Sequence, residues 1–278
     1  MLNPTLFSGF ILVLGGCAAK TATPEAAPEA PAAEVPAAAP AAAADAGIQW
    51  MPVYADQPDG PQLSLLAGNP KEGAFSALVK LPAGHASPLH THPANFQAVV
   101  VSGTIKNGRT AEDSPELKAG DMWTQPANEA HFTGCTEDAD CIFVGNMDGA
   151  MGTTPAEEAV EASTQTVVAA ADIAFAPMNP EKPEGPNLVA LTGDMKTGPW
   201  TALARFPAGL STPKHSHSAN YSGVVVSGVV SNGGDETFSA GSVWSNAAGN
   251  VHTTICAEDQ DCVFFITMDG AMEMIPAE

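Results

Sequence analysis

Six of the seven histidines in this 278-residue chain fall into two sets of the same shape. His90, His92 and His131 form one set, and His215, His217 and His252 the other. Each opens with a His-x-His pair and closes on a third histidine roughly 40 residues downstream. On a β-strand, His-x-His puts both imidazoles on one face, about 6–7 Å apart. A third imidazole from a neighbouring strand would close three corners of a metal site, and imidazole suits Zn, Cu, Fe and Ni. A lone His-x-His on a strand is more often incidental than functional. Recurrence of the whole set is what gives this one weight. The competing reading is that the histidines are buried, hydrogen-bonded core residues.

The histidines recur because the sequence does. Residues 48–108 align without gaps to 173–233, with 27 identities in 61 positions. Residues 120–151 align to 241–272, with 16 identities in 32. The chain therefore reads as a tandem duplication, its two offsets reconciled in the loop 109–119. Copies 48–151 and 173–278 are joined by a Glu-, Ala-, Thr- and Ser-rich segment, 152–172. Strand candidates are 74–81, 96–102 and 141–147 in the first copy, and 200–206, 221–227 and 262–268 in the second. Turn signals separate them, at Pro82-Ala83-Gly84, Asn107-Gly108, Asp148-Gly149 and their counterparts. No segment keeps a 3.6-residue period. Many short strands in copies of this size predict an all-β sandwich or barrel. Trp123 and Trp244 read as core, and the repeated Met-Asp-Gly-Ala-Met as a strand end and tight turn.

Around the histidines the spacing becomes specific. Gly84, His90, His92, Phe96 and Gly103 are followed by Gly120, Pro126, Asn128 and His131. The second copy has Gly209, His215, His217, Tyr221 and Gly228, then Gly241, Ala247, Gly249 and His252. These stretches resemble the two motifs of the cupin superfamily, over nearly all of residues 48–151 and 173–272. The chain is similar to duplicated cupins grouped as a bacterial family of unknown function. The resemblance implies two tandem jelly-roll barrels (double-stranded β-helices), each with a metal at its mouth. It also allows oxygen chemistry on a three-histidine iron.

One departure matters. The motif's carboxylate ligand is replaced by Phe96 in one copy and Tyr221 in the other. Three neutral imidazoles leave the ion's charge uncompensated, which should favour Zn or Fe over hard, oxygen-seeking Mn. Such an ion also attracts anionic ligands. The Tyr221 hydroxyl could act as a catalytic group that orients a metal-bound water or substrate; the plainer reading is barrel-wall packing. Gln97 and Ser222 are adjacent but on the opposite face, and His85, matched by Leu210, lies at opposite parity to His90. None of the three is expected to be a ligand.

Cys135 and Cys141, like Cys256 and Cys262, are separated by five mostly acidic residues. A loop of that length turns one strand into the next and can place the two sulfurs opposite each other. The expectation is one hairpin disulfide per copy. Thiolate metal ligation is the alternative, since Cys135 shares strand parity with His131.

The fifth cysteine, Cys17, ends Leu14-Gly15-Gly16-Cys17 after the short apolar run 6–14. That run is too short to span a bilayer. It fits a signal peptide over residues 1–16, and the ending resembles a bacterial lipobox with Cys17 as the lipidated residue. No Lys or Arg precedes the run. Residues 18–47 contain 16 Ala and 5 Pro in 30 positions, so 17–47 reads as the lipidated cysteine and a disordered tether. An exported protein is also in a compartment that permits disulfides.

Lys and Arg total 10 against 31 Asp and Glu, a net charge of −21. That excludes phosphate-driven binding of nucleic acid and electrostatic docking on an anionic membrane. Any membrane association would run through the lipid anchor, at the cell envelope. Two functions stay open: a metal-dependent oxygenase, isomerase or hydrolase acting on a small organic molecule, or a metal- or small-ligand-binding lipoprotein without turnover. The missing carboxylate removes the obvious general base and shifts weight toward binding. Oligomeric state is not legible.

Overall fold

The computed structural model describes residues 48–278. The expected signal segment, lipidation site Cys17 and tether lie outside the described residues. Apart from one 3-10 turn at Ala170–Asp172, every described element is a β-strand.

Each copy folds into its own barrel of two facing antiparallel sheets. In the first barrel the large sheet runs, in spatial order, Met51–Pro52, Gln62–Gly68, Phe75–Leu81, Cys141–Met147, Phe96–Ser102, Met122–Gln125 and Thr166–Val168. Facing it are Glu116–Leu117, Ile105–Gly108 and Phe132–Cys135. The bridges Ala86↔Gly134 and His90↔His131 extend this second layer toward the His-x-His segment. The second barrel repeats the order with Ala176–Pro177, Asn187–Gly193, Trp200–Phe206, Cys262–Met268, Tyr221–Ser227 and Val243–Asn246. Its second layer is Thr237–Phe238, Val230–Asn232 and Thr254–Cys256, with the bridges Ser211↔Ile255 and His215↔His252.

Inward-facing residues fill each barrel. Leu81, Ala98, Val100, Ile105, Leu117, Trp123 and Phe143 do so in the first. Trp200, Ala202, Phe206, Val225, Val230, Trp244 and Phe264 do so in the second. The outer faces are apolar too. Leu78, Val99, Val101 and Val144 pack with Leu203, Val224, Val226 and Phe265 in one cluster shared by the two barrels. The runs Val99-Val100-Val101 and Val224-Val225-Val226 therefore lack alternation for a physical reason. Their strands are central, with one face in a barrel core and the other against the neighbouring barrel.

The segment between the copies does more than connect them. Thr154–Pro155 pairs with His90–Thr91, as Ile275–Pro276 pairs with His215–Ser216. Pro155-Ala156-Glu157 recurs as Pro276-Ala277-Glu278, so the self-similarity runs on past Met151. Thr166–Val168 then pairs with Met122–Gln125. The Glu129 carboxylate accepts hydrogen bonds from the Ser163 and Thr164 hydroxyls, and Gln165 Nε2 donates to the Asn107 carbonyl. Residues 154–168 thus form a strap across the first barrel.

The cysteines pair within hairpins. Cys135–Cys141 and Cys256–Cys262 are disulfides with Cα atoms 5.8 and 5.7 Å apart. That removes Cys135 from any thiolate ligand set.

Candidate metal centres

Backbone pairing brings each triad together. His90 and His131 exchange backbone hydrogen bonds in both directions, as do His215 and His252. The pair puts the third histidine beside the first of the His-x-His, while the two-residue period puts His92 and His217 on the same face. Within each triad one ring nitrogen per histidine can be chosen so that all three lie within 4.8 Å of one another. Among the described residues these are the two groups of His, Cys, Asp and Glu with that geometry. His85 joins neither.

The hydrogen bonds fix which nitrogens those are. Nδ1 of His90 lies 2.8 Å from the Pro88 carbonyl, that of His92 2.6 Å from Gly152, and that of His131 3.1 Å from Glu129. In the second barrel Nδ1 of His215, His217 and His252 meets the carbonyls of Pro213, Glu273 and Asn250. A carbonyl oxygen only accepts, so all six Nδ1 atoms carry the proton and donate it. All six Nε2 atoms are left with their lone pairs, the tautomer a metal requires.

Burial also disfavours the charged form of imidazoles in both triads. Burial keeps His90, His92 and His217 below the usual histidine pKa, and takes His131 down to about 3 and His252 to about 4. Neighbouring histidines in each triad add to the depression at His131 and His252.

His131 supplies the most direct test of fit. It is 2% exposed, and its Nε2 has no hydrogen-bond partner. A buried polar atom without a partner costs about 1–3 kcal/mol. In the first triad, three imidazoles whose ring nitrogens lie within 4.8 Å of one another, with Nε2 of His131 buried and without a partner, fit a divalent transition metal better than a satisfied core cluster.

The two triads differ at the carboxylate position. Phe96 sits opposite Gln125 in the sheet, and Tyr221 sits opposite Asn246. The Phe96 ring lies against Gly145, where an added Cβ would come within 2.6 Å of Cε2. Its centroid is 6.3 Å from that of His92. Tyr221 leans toward the histidines instead, with its ring 5.2 Å from His217 and 5.3 Å from His252. Its hydroxyl oxygen is 2.8 Å from Nε2 of His252. Asn246 Nδ2 donates to it at 2.7 Å, and Asn232 Oδ1 lies 3.1 Å away as an acceptor. Burial raises the Tyr221 pKa against the pull of both amides, so the phenol stays protonated.

Behind each triad lies an amide–hydroxyl network that sequence reasoning missed. Thr133 donates to Asn107, whose Nδ2 donates to Gln125; Thr254 donates to Asn232 in the second barrel. Asn107 and Asn232 were legible only as turn residues of a repeated Asn-Gly. The complete burial of Asn107 was not. Gln97 and Ser222 point away from the triads, Ser222 toward Ser245 on the outer face.

Comparison with known proteins agrees with the fold. The family described as a domain of unknown function (DUF4437) matches residues 44–182, and a ChrR cupin-like domain matches residues 163–272. A solved structure from Nostoc punctiforme, provisionally described as a dioxygenase, is 14% identical over 78% of each chain, with TM-score 0.58. Another, from Pseudomonas aeruginosa and provisionally described as a glyoxylate-induced protein, is 15% identical. It matches over 78% of this chain and 84% of its own, with TM-score 0.51. At such identities the likeness speaks for the fold alone. No curated protein matches the sequence.

Proposed function

The chain belongs to the cupin superfamily, through the family of the domain of unknown function DUF4437, and from that premise we propose that it is a metalloprotein with one transition-metal centre in each barrel. His90, His92 and His131 hold one ion, and His215, His217 and His252 the other. The observation that carries this reading is the partnerless, buried Nε2 of His131 among lone pairs already oriented by backbone carbonyls. When bound, a divalent ion would supply Lewis acidity, and with iron, access to oxygen chemistry. The protein's own part is to hold three neutral imidazoles, to close the barrel behind them, and to leave the His92 side partly exposed for a small organic ligand. In the second barrel the Tyr221 hydroxyl is placed to orient what binds there. Zn or Fe(II) should be preferred to Mn, because no carboxylate joins the imidazoles.

A second reading, binding without turnover, has its own support. The nearest acidic side chain in sequence to a triad member, Glu129, is turned to Ser163 and Thr164. It is engaged by the strap and is not aimed at the ion as a general base. Metal analysis after anaerobic isolation tests the common core of both readings, with about two equivalents expected. Protein that carries no metal and takes up none on addition would make the histidines core residues.

We also propose anchoring through Cys17, on the strength of the lipobox-like Leu14-Gly15-Gly16-Cys17. Mass spectrometry of a membrane fraction should find a lipidated Cys17, and Cys17→Ser should release the protein. A mature form that starts elsewhere without lipid would refute it.

A further inference from the structure

We infer that the two centres are specialised for different ligands and that Tyr221 separates them: with Nε2 of His252 committed to an ion, the Tyr221 hydroxyl turns its proton to a small anion bound at the second centre, a hydrogen bond the first centre cannot make. The inference rests on the metal reading above and names the ligand class for one of its two sites.

Proton counting carries the argument. The Tyr221 hydroxyl has one proton and three polar neighbours. Asn246 Nδ2 can only donate, so it fixes the oxygen as an acceptor on that side. The proton then has two destinations, Nε2 of His252 at 2.8 Å and Oδ1 of Asn232 at 3.1 Å. Since His252 donates through Nδ1 to the Asn250 carbonyl, its Nε2 accepts, and the shorter contact takes the proton. Once that nitrogen is committed elsewhere, the remaining protein acceptor is the neutral amide oxygen of Asn232, at 3.1 Å, which also accepts from the Thr254 hydroxyl at 2.9 Å. An anion is a stronger acceptor than a neutral amide oxygen. An ion on Nε2 of His252 and a hydroxyl 2.8 Å from the same nitrogen compete for one lone pair, so engagement of His252 displaces the hydroxyl and releases its proton to another acceptor.

The first barrel differs by a coordinated exchange, not by one stray hydroxyl. Phe96 faces Gln125, and Tyr221 faces Asn246, directly across the same strand pair. The shorter amide of Asn246 leaves room for the hydroxyl and donates to it. The longer amide of Gln125 accepts instead from Asn107 at 3.2 Å. Gly145 gives the Phe96 ring a place to lie away from the histidines, and Ile266 stands at the matching position of the second barrel. Three matched differences place an O–H donor at one centre and an apolar wall at the other.

The test uses Co(II) as the bound ion and azide as the anion, read by visible absorption in the full protein. His92→Ala confines Co(II) to the second barrel, and His217→Ala to the first. The second barrel should bind azide about tenfold more tightly, the value of one hydrogen bond to a charged group. Tyr221→Phe in the His92→Ala background should abolish that excess while keeping one Co(II) and an unchanged circular dichroism spectrum. Equal azide affinity in the two barrels, or no effect of Tyr221→Phe, would overturn the inference and leave the metal reading standing. Loss of Co(II) from folded Tyr221→Phe would also overturn it, by making the phenol a ligand of the ion itself. Failure of both barrels to bind Co(II) would overturn the inference and the metal reading together.

Discussion

The Gly152 carbonyl accepts a hydrogen bond from Nδ1 of His92 at 2.6 Å, across 60 residues of sequence. Glu273 holds His217 in the same way in the second barrel. The middle histidine of each triad is therefore oriented by chain that returns after the last long strand. That returning chain is pinned by the pairs Thr154↔Thr91 and Ile275↔Ser216. Outer partners of this kind fix the tautomer and ring plane of a ligand, and their loss costs about 10–100-fold in metal affinity.

A chain ending at Met272 should accordingly lose about 10–100-fold in affinity at the second centre and nothing at the first. Competition with a chelator, read separately in His92→Ala and His217→Ala backgrounds, measures this. Unchanged affinity would mean that the barrel wall alone orients His217.

Each centre should stand on its own histidines. His92→Ala and His217→Ala should each lower metal content from about two equivalents to about one, and the double variant to near zero. All three should stay folded, because the cores of both barrels are built from apolar residues apart from the ions. Added Zn(II) should outcompete Mn(II) at both centres. Metal content with circular dichroism decides the first claim, and competition dialysis the second.

Much of the site was legible because ligand type and spacing are local properties. His-x-His and the third histidine named the six residues that the fold groups, and the strands Phe96–Ser102 and Cys262–Met268 have the bounds that the turn signals set off. What stayed hidden depends on contacts distant in sequence. The Glu-, Ala-, Thr- and Ser-rich stretch 152–172 has few large apolar residues and reads as a joining segment. Its attachment comes from hydrogen bonds, Glu129 to Ser163 and Thr164 and Gln165 to Asn107, which leave no hydrophobic period. The contacts of the Tyr221 hydroxyl were equally out of reach, because they depend on Asn246, Asn232 and His252 meeting at one oxygen.

The disulfides should contribute to stability and not to metal binding. Each closes a short hairpin, and loops of this size restrict the unfolded chain by about 2 kcal/mol apiece. Replacing Cys135 and Cys141 together by Ser should lower the urea-unfolding free energy by about that amount and leave metal content unchanged. Loss of metal from that variant would restore the thiolate reading the pairing argues against.

The turn before the third histidine offers a final test, because the two barrels solve the same backbone problem with different residues. Asn128 has φ of 61° and Gly249 has φ of 79°, both in the left-handed region. The strain has a purpose: the amides of Asn128 and Gly249 donate to the carbonyls of His92 and His217, at 2.7 and 2.8 Å, and so tie the turn to the His-x-His segment. Asparagine tolerates this conformation better than other residues with a Cβ. The departure from the glycine of the motif at Asn128 is therefore conservative in backbone terms. A Cβ built at Gly249 would meet nothing within 4 Å, so Gly249→Ala adds dihedral strain without a clash. It should cost about 1–2 kcal/mol, and Asn128→Ala somewhat less, while Asn128→Gly should change stability by under about 1 kcal/mol. Urea unfolding of the metal-free variants measures all three. A cost for Asn128→Gly above that of Gly249→Ala would show that the Asn128 side chain, and not its backbone, holds the turn.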